Sequence, residues 1–196
     1  REQISSEMWE QVNRLSLQVK RTQIDNIWNE QPHEFFRSVK EGIHLFQGIT
    51  DSTMNHGEGW QFIQIGRSIE RETATCTLVK VHYAAWESLN YHQTVTGTFM
   101  EWISLLKSST AFEAYCKVYT ADLRPDRIAE FLILNPEFPH SIRFSINRIH
   151  SALQAASNMT ESKRARQVNR LSGRLRATLD FGQIDEIVEH GLFSYL

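Results

Sequence analysis

Arg67, Glu70 and Arg71 stand at i, i+3 and i+4, a spacing that places all three side chains on one face of a helix. Two guanidinium forks converging on one point suit a carboxylate or a phosphate, which each can grip bidentately. Glu70 would then orient the pair. The same trio has a second use. Half-buried, Glu70 would neutralise one or both arginines and lock two helices in register, which lets charges survive indoors at little net stability. Trp60 lies near that face, and Gly66 removes a side chain just before the first arginine, where a neighbouring helix is expected to come close. Farther along, Glu113 and Tyr115 are polar groups in the apolar run Ala111-Phe112-Glu113-Ala114-Tyr115. Glu113 is the carboxylate expected to meet Arg67 or Arg71 across helices.

Other chemistries find less support. A di-iron bundle needs Glu-x-x-His on two helices plus two further glutamates, and Glu41-x-x-His44 is the one match free of proline. No His-Glu-x-x-His zinc motif, phosphate loop or nucleophile elbow occurs. Neither a metal nor a cofactor is expected. Lys163, Arg166, Arg170 and Arg174, with Arg164 and Arg176 nearby, form a basic stripe. It reads as a solvated face, or as a dock for an acidic partner or for the neighbouring acidic helix (Asp180, Asp185, Glu186, Glu189). Nucleic acid is not indicated, because no aromatic interleaving or recognised motif accompanies it.

Composition bounds the rest. The 196 residues carry 41% hydrophobic content and a net charge of −2, enough for one sizeable core with no global pull toward polyanions. Two cysteines, Cys76 and Cys116, read as buried thiols rather than a disulfide framework. No apolar run approaches the ~18 residues of a membrane span, no signal peptide is visible, and a cytoplasmic location is expected. Residue 1 reads as mid-helix sequence, so the chain is expected to begin inside a longer protein.

The elements that must position these residues are helices. Apolar residues recur with helical spacing at Ile4, Met8, Val12, Leu15 and Val19, predicting a first helix over about 2–29. Pro32 opens a second, whose core face is expected at Phe35, Phe36, Val39, Ile43 and Phe46. A third runs from Trp60 to about Trp86 and absorbs the one strand-like stretch, Cys76–Val81. A mixed segment at 94–98 precedes a fourth helix over Phe99 to about Tyr119. Pro125 starts a short helix that Asn135-Pro136-Glu137-Phe138-Pro139 ends. His140 begins the next, to about Ala156. Thr160-Glu161-Ser162 caps another, with Val168, Leu171, Leu175 and Leu179 on one face, and a last helix covers Ile184 to Tyr195. The fold class is therefore all-α, an irregular multi-helix bundle, read as a single domain over 1–196.

The stretch Gly59-Trp60-Gln61-Phe62-Ile63-Gln64-Ile65-Gly66-Arg67-Ser68-Ile69-Glu70-Arg71 resembles the signature of the alpha-E family, a bacterial group named for a helical Glu-Arg motif. Three further segments agree in order: Ile4 to Asn13, Ser104 to Tyr115, and Phe131 to Arg143. One departure is His140, where the family pattern more often carries arginine before the serine. The resemblance adds His140 and Arg143 to the candidate site. It also implies a preceding helical part with a second Glu-Arg helix, whose removal would expose an apolar face and favour a homo-oligomer. Members are commonly encoded beside ATP-grasp and transglutaminase-like proteins. That association implies an accessory role in forming peptide or amide bonds, with an ATP-grasp-type ligase as partner. An enzyme with a Glu/Arg cleft, acting on a carboxylate- or phosphate-bearing substrate, and a purely structural interaction bundle are the alternatives.

Overall fold

The computed structural model describes residues 4–22, 32–89, 95–120, 122–158 and 162–196, with backbone alone at 86–89 and 95–98. Ten helices and no strand occur among them: α1 (Ser6–Arg21), α2 (Pro32–Thr53), α3 (Glu58–Leu89), α4 (Val95–Ser108), α5 (Phe112–Tyr119), α6 (Pro125–Leu134), α7 (Ile142–Ser157), α8 (Lys163–Phe181), α9 (Ile184–Glu189) and α10 (Leu192–Tyr195). The length that reads as one helical domain comprises two compact units, Arg1–Trp60 and Gln61–Leu196.

In the first unit α1 and α2 form an antiparallel hairpin. Ser5 caps α1 by accepting from the Met8 amide at 3.2 Å, and its hydroxyl meets that of Thr53 at 2.8 Å. Gln11 Nε2 donates to the Gly42 carbonyl at 3.0 Å. A Cβ on Gly42 would lie 2.4 Å from Leu15 Cδ2, so this glycine is what lets the helices touch. The apolar stripes serve the hairpin only in part. Met8 is buried, but Val12, Val19, Phe36 and Ile43 are exposed, because α2 turns its Ser38 and Gly42 side toward α1.

The second unit holds the larger core. α6 is buried nearly all round, through Ile128, Ala129, Phe131, Leu132, Ile133 and Leu134. Its neighbours supply Val79 and Tyr83 from α3, Leu105 and Leu106 from α4, and Tyr115 from α5. Pro125 occupies the first turn of α6, where a missing amide costs nothing. α7 and α8 pair antiparallel, tied by Arg143–Asp180 at 2.9 Å, His150–Ser172 at 2.9 Å and Asn169 to Ser157 Oγ. Cys76 is buried and donates to Glu72 Oε1 at 3.1 Å, whereas Cys116 is half-buried; both thiols are free.

Several boundaries differ from the sequence expectation. The first helix ends at Arg21, since Thr22 is extended. Its expected continuation to Asn29, with Thr94, Thr160 and Glu161, lies outside the described residues. The segment 95–98, expected to be irregular, is the start of α4. The helix expected over Phe99–Tyr119 is two. Thr110 is left-handed (φ 51°), its amide donates to Lys107 O at 3.0 Å, and the Ala111 amide reaches back to Leu106 O at 2.7 Å. That pair of bonds is a Schellman terminator. Gly191, at φ 94°, likewise divides the last helix into α9 and α10. α7 begins at Ile142 rather than His140, because Ser141 accepts from the Phe144 amide at 3.1 Å and so takes the cap position. α8 turns Asn169, Ser172 and Gly173 toward α7, leaving Val168, Leu171 and Leu175 exposed, so the expected core stripe keeps only Leu179 buried.

Candidate functional site

The site is built where α3 meets the turn before α7. Asn135 opens that turn, its Oδ1 accepting from the amides of Glu137 at 2.9 Å and Phe138 at 2.8 Å. The Ser141 hydroxyl closes it by donating to the Asn135 carbonyl. Held this way, the turn offers two carbonyls to α3. Arg71 Nη1 donates to Pro139 O at 3.3 Å, and Thr75 Oγ1 donates to His140 O at 2.9 Å. The motif arginine and His140 therefore come together, although 69 positions separate 71 from 140 in the chain.

The electrostatics there are cationic. Burial, followed by the like charges of Arg67 and Arg148, holds the Arg71 guanidinium below its ordinary pKa. Burial and then Arg71 lower His140. Cations from α3 (Arg67, Arg71) and α7 (Arg148) thus act on this pair. Two more polar groups stand one turn away on the same helices: Gln64 Nε2, three positions before Arg67, and Ser145 Oγ, three before Arg148. Both are buried, and neither has a hydrogen-bond partner among the described residues. Positive charge gathered at one turn is a setting for an anion.

The other expected residues fall outside this convergence. Glu70 is exposed and forms no hydrogen bond or ion pair among the described residues, so the neutralising carboxylate of the trio is not in place. At i+3 from Arg67 it shares the helix surface but points to solvent. Glu113 is exposed on α5 and meets neither arginine, because α5 packs against α4 and α6. Gly66 is exposed, and a Cβ built on it meets nothing within 4 Å among the described residues, so no described helix approaches there. Tyr115 is a core residue, fully buried, donating to the Asp122 carbonyl, with burial and Asp122 pushing its hydroxyl up to about 12. Arg143 clamps structure: Nε pairs with Asp180 and Nη1 donates to Leu134 O at 3.3 Å. Trp60 belongs to the first unit, its ring stacked on His56 at 4.3 Å.

Sequence reading passed over Arg148 and Thr75. Only the docking of α3 on the 135–141 turn brings them in, and the one signal available was their place on helical faces beside Ser145 and Arg71. Glu41 and His44, the one helical metal-like pair, are both exposed on α2. No helix among the described residues is long and apolar enough to cross a membrane.

The model of the Alpha-E family, described as a predicted alpha-helical domain with a conserved ER motif, matches residues 1–196. No curated protein and no solved structure matches the chain.

Proposed function

The chain belongs to the Alpha-E family, and from that premise we propose that it is an accessory component of a cytoplasmic, ATP-grasp-linked system forming amide or peptide bonds. In this reading the Glu-Arg helix holds a carboxylate or phosphate group, the two anions that ATP-dependent amide formation handles, and the ligase is the protein partner. The observation that supports it is the meeting of Arg71, Arg148 and His140 beside the Pro139 carbonyl, with Arg67 one turn away. A ligand carboxylate or phosphate would place negative charge among these cations.

The test is calorimetric titration with sulfate, whose charge does not vary across neutral pH, and co-elution with the neighbouring ATP-grasp protein. Arg148→Ala is the informative variant, because Arg148 is exposed and anchors no backbone contact in the turn. Sulfate affinity should fall at least about fivefold in that variant, roughly the loss of one charge-assisted contact, with the circular dichroism spectrum unchanged. Equal affinity in both proteins would overturn the anion reading. It would favour the structural alternative, for which the hydrogen bonds of Arg71 and Thr75 to the turn are the specific observation.

A further inference from the structure

We propose that the outward face of α8 is a docking seam for an acidic helix of a partner protein. α8 spends its small and polar side chains on α7: Asn169 and Ser172 make the hydrogen bonds, and Gly173 brings the backbone within reach of His150, 3.5 Å from its would-be Cβ. Three of its four larger aliphatic residues are left outside, with Val168 42%, Leu171 51% and Leu175 49% exposed, while Leu179 is buried. They are not scattered. The steps 168–171–175 follow the 3–4 spacing of a coiled-coil seam, and Arg164 and Thr178 continue it at both ends. At 100° per residue the aliphatic stripe covers roughly 60° of the helix, narrower than the face of about 100° or more that a helix buries on a broad surface.

The charge beside the seam selects the occupant. Lys163, Arg170 and Arg174 follow one another along its solvent side, and all are exposed. Asp180 is the one acid within α8, and it is already bound by Arg143 and Arg176. None of Lys163, Arg164, Arg166, Arg170 and Arg174 is in an ion pair among the described residues. The chain as a whole is at −2, so this concentration of positive charge is local. A second copy laid antiparallel about Leu171 would set Arg170 and Arg174 of both molecules along one flank, where like charges repel. A lipid surface would meet a stripe that is too narrow, and the one aromatic residue of α8, the exposed Phe181, stands about 110° away from its middle at 100° per residue. A helix with apolar residues at heptad spacing and carboxylates beside them satisfies both features, its apolar residues filling the seam and its acids pairing with the arginines.

The probe is a synthetic helical peptide of about three heptads, with leucine at the seam positions and glutamate on both flanks. Fluorescence anisotropy on the full chain at low salt should give saturable binding. Leu171→Ser should weaken it at least tenfold. Arg170→Glu/Arg174→Glu should abolish binding of the glutamate peptide and confer binding of a lysine-flanked one, which the original chain repels. Both variants change exposed residues, so the fold is expected to persist and is checked by circular dichroism. No binding, or binding indifferent to these substitutions, overturns the proposal. So does a concentration-dependent dimer dissolved by Leu171→Ser, which assigns the face to a second copy, or capture by phosphatidylglycerol vesicles lost in the same variants, which assigns it to a membrane.

Discussion

At the scale of single residues, the Glu-Arg motif divides into parts with different physical roles. Arg71 works in three dimensions, reaching the Pro139 carbonyl and facing His140, while Glu70 next to it is exposed. Spacing could place the trio on one helix, but it could not say which member finds a partner, because that depends on where the 135–141 turn docks. Gly66 illustrates the same gap from the other side. Its Cβ would meet open space, so its lack of a side chain serves no packing. Gly66→Ala should therefore raise stability by about 0.5–1 kcal/mol, the helix-propensity difference, seen as a rise in midpoint in urea melts. If it is stabilising yet weakens sulfate binding, the glycine is kept for ligand access; a loss of stability would mean that something does approach this face. His140 gives a pH prediction. Its pKa is depressed in the folded chain, so just below pH ~6.5 the unfolded histidine holds a proton that the folded one lacks. Stability should thus rise with pH through that window and be lost as pH falls. A bound anion favours the imidazolium, so sulfate should bind more tightly from about pH 8 down to about pH 6. That trend should flatten in His140→Gln, and a trend unchanged in the variant would place the titration elsewhere.

At the scale of elements, helix existence was legible and helix termination was not. Proline at the start of α2 and α6, and the apolar run of α6, carried those helices into the reading correctly, as did the choice of helix over strand for Cys76–Val81. The breaks at Ser109–Ala111 and His190–Gly191 were missed for a physical reason. A Schellman turn at Thr110 depends on one residue in the left-handed region, a conformation that threonine's sequence preference argues against. α8 was misread in orientation, since a regular aliphatic stripe says that a face is apolar, not that it is covered. Its covered side is marked instead by Asn169, Ser172 and Gly173, which hydropathy reads as surface. Thr110 also offers a test at this scale. A β-branched residue at φ 51° costs roughly 1 kcal/mol or more, part of which Thr110→Gly recovers against the added freedom of the unfolded chain. The expected net gain is about 0.5 kcal/mol in urea unfolding. A destabilisation of about 1 kcal/mol would show that the hydroxyl bond from Thr110 to the Ser109 carbonyl matters more than the strain.

At the scale of the whole molecule, burial is divided unequally. The first unit buries Met8, Gln11 and Thr50 among its described residues, and two of these are polar. Its hairpin is held by side-chain hydrogen bonds such as Gln11 to Gly42 and Gln18 to Ser38, which add little net free energy where water competes. The second unit buries a continuous cluster running from Val79 through Tyr115 and Phe131 to Leu192. Apolar burial supplies most of the favourable free energy of folding, so the two units should not share one opening free energy. Amide hydrogen exchange under native conditions tests this. The slowest amides should lie in α6 and the adjoining part of α7, whose inner residues are almost free of solvent exposure. Amides of α1 and α2 should open at least about 2 kcal/mol more easily, a roughly thirtyfold faster exchange in the equilibrium regime. Low denaturant should melt α1–α2 first while sulfate binding at Arg71 and Arg148, which lie in the second unit, persists. Identical protection in the two units, or loss of sulfate binding together with the first amides of α1, would mean that the chain opens as one cooperative body and that the anion site depends on all of it.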